Sequence, residues 1–569
     1  SIAARRATVD TCKNNFVTMN PLNKSGCTLS NGNLTTADAT SSGGQIYSTM
    51  GSNTGKWYYE AHVTAVGGPN AQIIGIQPLI KVATNGQNRT GYRSSGDVYS
   101  DSGTVQSGTS YTTGDIIGVA WDADNKQLWF AKNGSWVYSG DPANGTNPAV
   151  TYTNTETQGP SVQYDNGAVS QVTNFNFGQN PTLSGQVTAG TFTDSNGIGL
   201  FKYEPPTGFL ALCDDNLPTP TVADPGEHFK CVLWTGDGNN SHPITKVGFK
   251  PDLVWIKSRS FANNHHLFDV IRGPNNILRS SSFDAESNPG QVMSTFDSDG
   301  FTVGEDGGNN ATNDDGSTFV GWCWKAGGAP VSNNNGTITS QVSANQTAGF
   351  SIVSYTGNLT DNATVGHGLL KAPDFLIVKN RDLGVAWGIW HSSMATGEVL
   401  RFTTTGAQVP GTAYFQDENN TSSVFALGTN DETNENNDNF IAYCWHAVEF
   451  YSKFGSYTGN NNVDGPFAYC GFKPAWLIIK STGSSNNGNW VIYDSSRSSE
   501  NVNGLRLGAN LSDGENENNT NLGMDSSVGV DFLSNGFKIR TTGPNHNEDG
   551  TKYIFAAFAE SPFQTANAK

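Results

Sequence analysis

The sequence predicts an all-β protein, with one antiparallel β-sandwich followed by three tandem β-sandwich repeat domains. Three observations lead there. The chain holds 66 glycines among 569 residues, with 36% hydrophobic and 14% charged residues; this suits short strands joined by polar turns and suits helix interiors poorly. Residues 114–136, GDIIGVAWDADNKQLWFAKNGSW, alternate apolar runs with Asp/Asn turns. After residue 228 one set of phrases returns three times, the mark of a duplicated unit.

The first domain is placed at 1–212. Within it Ile116 to Trp121 is too short for a typical helix and rich in β-branched and aromatic residues, and Asn133-Gly134 is a strong hairpin signal. The stretch reads as strand, turn, strand, NG turn, strand. A calcium loop counted from Asp122 would need glycine at its sixth and glutamate at its twelfth position. Those places hold Gln127 and Asn133, so Asp122 and Asp124 are read as turn residues that satisfy local backbone groups. Upstream, GKWYYEAHV at 55–63 and NAQIIGIQP at 70–78 read as further strands, as does VTNFNFGQNP at 172–181.

A proline-punctuated linker is read at 213–228, then repeat domains at 229–328, 349–449 and 450–569, with a second linker at 329–348. Trp234-Thr235-Gly236-Asp237 returns as Tyr355-Thr356-Gly357-Asn358 and as Tyr457-Thr458-Gly459-Asn460. GFKPDLVWIK, GLLKAPDFLIVK and GFKPAWLIIK follow, and the copies close on FVGWCW, FIAYCW and YIFAAF. The copies act as internal controls. Cys323 and Cys444 align with Ala557, which fits a small buried slot and not a metal ligand. His265 aligns with Trp387 and Trp490, so the His265-His266 pair reads as strand and not as a zinc site, which would want Cys or His partners at ligand spacing. Asp269 and Arg272 match Asp494 and Arg497, whereas the second copy has His391 and Ala395 there, with Met394 in the arginine column. An exposed pair of this kind contributes less than about 1 kcal/mol.

The loops EDGGNNATNDDG (305–316), NDETNENNDN (430–439) and DGENENNTN (513–521) are acidic and amide-rich. They read as solvated loops, with Ca²⁺ or saccharide hydroxyls as the sharper alternative. Seven cysteines in so long a chain make no disulfide framework. Cys12 with Cys27 is one pairing the sequence allows, buried unpaired thiols the other. The net charge of −18 argues against a nucleic-acid surface, which needs clustered Lys and Arg. No apolar run approaches the length of a membrane span. The start, SIAARRATVDTC, lacks an initiator Met and a signal-peptide centre, which leaves open a processed chain or part of a longer one.

The segments GKWYYE, IGI, GDIIGVAWD and LWFAKNG, in that order, resemble the SPRY family over roughly residues 12–210. The resemblance implies a SPRY-like (concanavalin-like) two-sheet sandwich that binds through its loops and performs no chemistry, with Trp57, Gly118, Trp121 and Phe130 as core or turn positions and the divergent segment 81–103 among the binding loops. Over nearly the whole chain the link NLPTP, GFKPDLVWIKSRS, FDSDGFTVG, WCWKAGG, TVGHGL, DFLSNGFKIR and FAESPF resemble uncharacterised, tail-fibre-like virion proteins of tailed, particularly marine, bacteriophages. That resemblance implies a structural appendage on the virion surface. Its implied partners are other virion proteins and a host cell-surface glycan or protein receptor, with homotrimer formation by analogy to fibres.

No catalytic, metal-binding or cofactor residue is assigned, and no binding residue is singled out. The rival readings are a passive capsid or tail decoration protein, a bacterial extracellular filament or adhesin, and a polysaccharide depolymerase. The last would need two carboxylates about 5–10 Å apart across a cleft.

Overall fold

The computed structural model describes residues 14–40, 43–68, 70–80, 90–100, 103–165, 171–304, 312–483, 488–515 and 529–562. The chain divides into two compact units, Ser1–Thr219 and Pro220–Lys569.

The first unit is an antiparallel sandwich. One sheet runs, in spatial order, Met19–Ser25, Gly44–Ser48, Gln158–Tyr164, Gln72–Pro78, Thr90–Arg93, Asp97–Ser100 and Gly103–Ser107. The other runs Ser135–Trp136, Gln127–Lys132, Ile116–Asp122, Lys56–Ala65, Val172–Asn176, Thr35–Asp38 and Cys27–Ser30. Polar groups inside the sandwich are paired across it: the Tyr59 hydroxyl donates to the Gly75 carbonyl at 2.7 Å, and the Tyr164 hydroxyl meets Thr173 at 2.9 Å. Trp57, Trp121 and Phe130 are buried in the core. A Cβ at Gly118 would lie 2.9 Å from the Tyr58 hydroxyl, so a side chain there would have to displace the buried Tyr58 ring.

The stretch 114–136 folds as strand, turn, strand, turn, strand. Both carboxylate oxygens of Asp122 accept from Asn125, at 2.9 and 3.0 Å, and Lys56 stands 3.4 Å away. Asp124 accepts the Gly55 amide at 3.0 Å. These acids bend the chain and tie two turns together. Part of the expected binding loop 81–103 is strand instead, because Thr90–Arg93 and Asp97–Ser100 continue the first sheet; residues 81–89 and 101–102 lie outside the described residues. Cys12, the pairing partner considered for Cys27, also lies outside them.

The second unit contains the three copies, and each builds a sheet with the same strand order. An opening strand pairs with the copy's closing strand, the closing strand with the third, the third with the fourth and the fourth with the fifth. In copy 1 these are Phe229–Thr235, Thr318–Trp324, Leu253–Ser258, His266–Asp269 and Gly273–Leu278. In copy 2 they are Phe350–Thr356, Asn439–Trp445, Phe375–Asn380, Gly388–His391 and Glu398–Arg401. In copy 3 they are Ser452–Thr458, Lys552–Pro562, Phe472–Ser481, Val491–Asp494 and Leu507–Gly508. Smaller sheets add a second layer: His242–Ile244, Gly300–Val303 and Met293–Asp297 in copy 1, Ala363–Gly366 with Val424–Leu427 in copy 2, and Phe467–Tyr469, Gly536–Ile539 and Val530–Leu533 in copy 3.

Two expectations need correction. Segment 329–348, read as a linker, contributes strands Val331–Asn333 and Ser340–Asn345, which extend the copy 2 sheet beside its opening strand. The copies are also not separate modules. Their closing strands place Trp324, Trp445 and Phe558 at equivalent positions, and these three rings meet pairwise at 6.2, 5.7 and 6.5 Å between centroids. All three belong to one apolar cluster that takes residues from every copy. A single copy leaves one face of its main sheet apolar, and that face is covered only by the other two.

The recurring Trp/Tyr-Thr-Gly-Asp/Asn phrase also has a physical reason. A Cβ on Gly236, Gly357 or Gly459 would fall 2.1, 2.2 or 2.2 Å from a carbonyl oxygen of Asp314, Glu435 or Glu548. The crossing segment carries a buried asparagine in each copy, Asn313, Asn434 or Asn547. Its side-chain oxygen accepts the amide of Asp237, Asn358 or Asn460 at 3.2, 3.0 or 2.8 Å, and its NH₂ group donates to the carbonyl of Asn239, Thr360 or Asn462 at 2.8, 3.0 or 2.7 Å. The Gly357→Ala variant should therefore lose about 2 kcal/mol or more in urea unfolding, since overpacking against a fixed backbone has no easy relief. The Gly504→Ala variant, where a Cβ meets nothing within 4 Å, should stay within about 0.5 kcal/mol of the parent.

Candidate functional site

The chemically richest places among the described residues are the three seams where copy meets copy, and they repeat cyclically. The closing strand of copy 2 sends the Tyr443 hydroxyl to Asp269 of copy 1 at 2.8 Å. That of copy 1 sends the Trp322 indole to Asp494 of copy 3 at 3.0 Å. That of copy 3 offers the Phe555 carbonyl to the His391 Nε2–H of copy 2 at 3.0 Å. Asp269, Asp494 and His391 hold equivalent places; Tyr443 and Trp322 do as well, while in copy 3, which has Ala556 there, the carbonyl of the preceding Phe555 serves instead, so the three copies close into a ring within one chain.

The column His265, Trp387 and Trp490 repeats the cycle. The Trp387 indole donates to the Arg279 carbonyl of copy 1 at 3.0 Å, and that of Trp490 to the Arg401 carbonyl of copy 2 at 2.9 Å. His265 Nε2–H donates to the Gly508 carbonyl of copy 3 at 2.9 Å, while its Nδ1 accepts the Trp255 indole. Both imidazole nitrogens are thus engaged, and burial holds the ring's pKa well below its usual value. The histidine stands in for a tryptophan as a seam donor.

The Asp269–Arg272 and Asp494–Arg497 pairs, expected at an exposed surface, are fully buried with 2.5 Å contacts. Burial reverses the energetic expectation: removing one partner of such a pair costs about 3–5 kcal/mol, because it strands a charge. Glu286 and Glu515 extend each pair across a seam. Glu286 meets Arg272 of its own copy at 3.2 Å and Arg381 of copy 2 at 2.7 Å. Glu515 meets Arg497 of its own copy at 3.0 Å and Arg259 of copy 1 at 2.6 Å. In the third seam Gln408 takes the acid's place. Backbone bonds from Glu286 to Arg381, Gln408 to Thr482 and Glu515 to Arg259 hold all three alike, at 2.8, 3.0 and 2.7 Å.

Lys257, Lys379 and Lys480 are the penultimate residues of the third strand of each copy and are all buried. Backbone carbonyls solvate their ammoniums: Ser258 for Lys257, Leu383 and Val385 for Lys379, Gly406 and Ser481 for Lys480. Burial pulls their pKa values down to about 7, 8 and 7 respectively.

In the first unit the most deeply buried carboxylate among the described residues is Glu60, from the GKWYYE phrase. It accepts the amides of Lys202 and Tyr203 at 2.9 and 2.7 Å and the Asn176 side chain at 3.0 Å. Burial raises its pKa while these bonds lower it. It anchors the segment that follows the last long strand.

The acidic loops, where described, are partly structural. Segment 430–439 includes the short helical turn Asp431–Asn434 and the buried Asn434, and Glu432 pairs with Arg401 at 3.3 Å. Residues 305–311 and 516–521 lie outside the described residues. Cys323, Cys444 and Ala557 are all buried without exposure, as a small slot requires. Sequence reasoning found the His265 column and the Asp–Arg pairs but missed Glu286 and Glu515, whose amide-rich surroundings resemble ordinary loop.

The lysines give a pH signature. An unfolded lysine keeps its proton to about pH 10.4, whereas Lys480 in the fold titrates near 7. Between these values the unfolded chain binds more protons, so this group's contribution to stability rises with pH and its penalty is complete below about 7. The Lys480→Met variant should be more stable at pH 7. It should also show a smaller rise in stability from pH 7 to 8, by up to about 1.4 kcal/mol per pH unit, in urea titrations below the range where unfolded thiols and phenols ionise. An unchanged slope would contradict the assignment.

Comparison with known proteins adds the following. No curated protein matches the chain. Among solved structures, the SPRY domain of human HERC1 is similar at 17% identity, covering 28% of this chain and 96% of its own, with a TM-score of 0.23. A human SPRY domain is similar at 18% identity, covering 27% and 95%, with a TM-score of 0.18. The TRIM65 PSpry domain is similar at 11% identity, covering 28% and 91%, with a TM-score of 0.21. A family match runs over residues 224–562, from just before the first copy's opening strand to the last residue of the third copy's closing strand, so the family's unit is the whole ring. The chain belongs to the family described as Domain of unknown function (DUF7483).

Proposed function

We propose that this chain is a structural, non-catalytic appendage protein of the tail-fibre-like kind, carried on the surface of a bacteriophage particle, where it presents rigid β-units whose loops bind a host surface glycan or protein. The observation that carries the reading is how interior charge is used. The buried Asp–Arg–Glu groups, Lys480 and His265 hold one copy to the next through short, geometrically fixed contacts. Such a body is stiff and spends its ionisable groups on shape. A net charge of −18 keeps particles that display it mutually repelling. The second unit completes its own three-part ring from a single chain, so a homotrimer would be assembled around it and is not needed to finish its core. Other virion proteins are its proposed structural partners.

The test uses the full chain, fluorescently labelled and incubated with capsular polysaccharide and lipopolysaccharide from candidate host bacteria, alongside electron microscopy of particles decorated with gold-labelled antibody. Saturable binding without release of oligosaccharides, and gold at the distal tail, are expected. Gold in a capsid lattice position with no binding would favour passive decoration. Steady oligosaccharide release abolished by changing one acid would overturn the reading in favour of a depolymerase.

A further inference from the structure

The ring's three seams are built on one plan, and among the described residues a cavity lies at the seam between copies 3 and 1. At each seam the third residue of an opening strand and the two residues after the neighbouring copy's fourth strand hold equivalent places. Between copies 1 and 2 these places hold Ile352, Val270 and Ile271, of which Ile352 lies in the shared core and the other two pack against it. Between copies 2 and 3 the strand position holds Phe454, whose ring meets His391 at 6.3 Å and Phe375 at 5.9 Å. Between copies 3 and 1 the strand position holds the small Cys231, and the turn holds Ser495 and Ser496. There a cavity of about 300 Å³ remains. The fold does not require it, because the same backbone is filled twice over elsewhere in the ring.

The cavity's lining is amphipathic. Phe229 is part of its apolar wall, Ser495 and Ser496 supply hydroxyls, and Lys230 and Glu560 stand opposite in charge. Ser496, Lys230 and Glu560 are exposed, so the cavity opens to solvent. Lys473 pairs with Glu560 at 3.0 Å, which fixes the carboxylate in place. A serine hydroxyl both donates and accepts, an ammonium only donates and a carboxylate only accepts. Together they complement a molecule carrying several hydroxyls in different directions, and the mixed charges give no preference for an anion. The volume lies at the lower end of small-ligand sites and equals the room of about ten waters, which suits one sugar ring and not a chain of them.

We propose that the opening between copies 3 and 1 is a binding site for a single neutral, hydroxyl-rich sugar residue, such as a terminal unit of a surface glycan. The proposal rests on the reading of the chain as a glycan-binding appendage and assigns that role one location. Copying the closed seams supplies the variants: Cys231→Phe places there the residue of copy 3, and Ser496→Ile places there the residue of copy 1.

Saturation-transfer NMR on the full chain, with the methyl glycosides of glucose, galactose, mannose and N-acetylglucosamine as probes, tests it. At least one probe should receive saturation from the parent protein, and both variants should weaken that affinity about tenfold or more while melting within a few degrees of the parent. Ser496→Ile alters an exposed turn and keeps the test valid if Cys231→Phe folds poorly. No transfer to any probe, or transfer undiminished in a folded variant, would overturn the site. Retention of whole envelope polysaccharide is measured in parallel and separates the two ideas. If parent and variants retain it equally, the cavity is refuted and the appendage reading stands; if none retains it, both fall.

Discussion

The second unit depends on the contact among Trp324, Trp445 and Phe558. Each ring comes from the closing strand of one copy, and each touches the other two. A sheet with one apolar face must bury it against something, and a copy of about a hundred residues has only a small sheet of two or three strands as its second layer. The rings supply the missing cover mutually. Burial of large aromatics is the strongest apolar contribution a side chain can make, and here it is shared three ways, so no copy can leave without exposing the faces of the others.

Around this apolar centre the polar contacts set orientation. Taking Arg272 and Asp269 out of water is costly in itself, and an apolar substitute of similar volume often serves as well or better for stability. What the buried network supplies is geometry: Tyr443 meets Asp269, Trp322 meets Asp494, and His391, in the aspartate column, meets the carbonyl of Phe555, one residue before the Tyr443 and Trp322 column. The third seam manages with a histidine and a glutamine where the others use aspartate, arginine and glutamate. Backbone bonds from Glu286, Gln408 and Glu515 are common to all three, so main chain holds the seams alike while the polar side chains around them vary. Divergence of side chains on a fixed plan also marks the open seam between copies 3 and 1, where Cys231 stands in a place held by Ile352 and Phe454 in the other copies.

Much of the architecture was legible in the sequence. Alternating apolar residues bounded by Asn-Gly and Asp turns marked the strands of 114–136, and the tripled Thr-Gly phrase marked the copies. The alignment of Cys323, Cys444 and Ala557 foretold a small buried slot because a periodic strand pattern fixes which face a residue takes. The joining of the copies was not legible. Each repeat carries a self-sufficient pattern of strands and turns, and nothing local says that the face bearing Trp324 looks at another copy and not at its own second layer. For the same reason the Asp269–Arg272 pair was read as a surface pair: its i,i+3 spacing is that of an exposed turn, and only the neighbouring copy buries it. Segment 329–348 was read as a linker because its Gly, Asn and Ser content masks two short strands that gain their hydrogen bonds from copy 2.

The central claim is that the three copies form one cooperative body held by a common core. Native-state hydrogen exchange on the full chain, followed at the closing-strand amides of Val320, Ile441 and Phe555 under increasing urea, tests it most directly, since cooperative units open with a shared free energy. The account predicts one opening free energy and one denaturant slope for all three strands. Three distinct opening energies, each with the smaller slope of a unit about a hundred residues long, would contradict it.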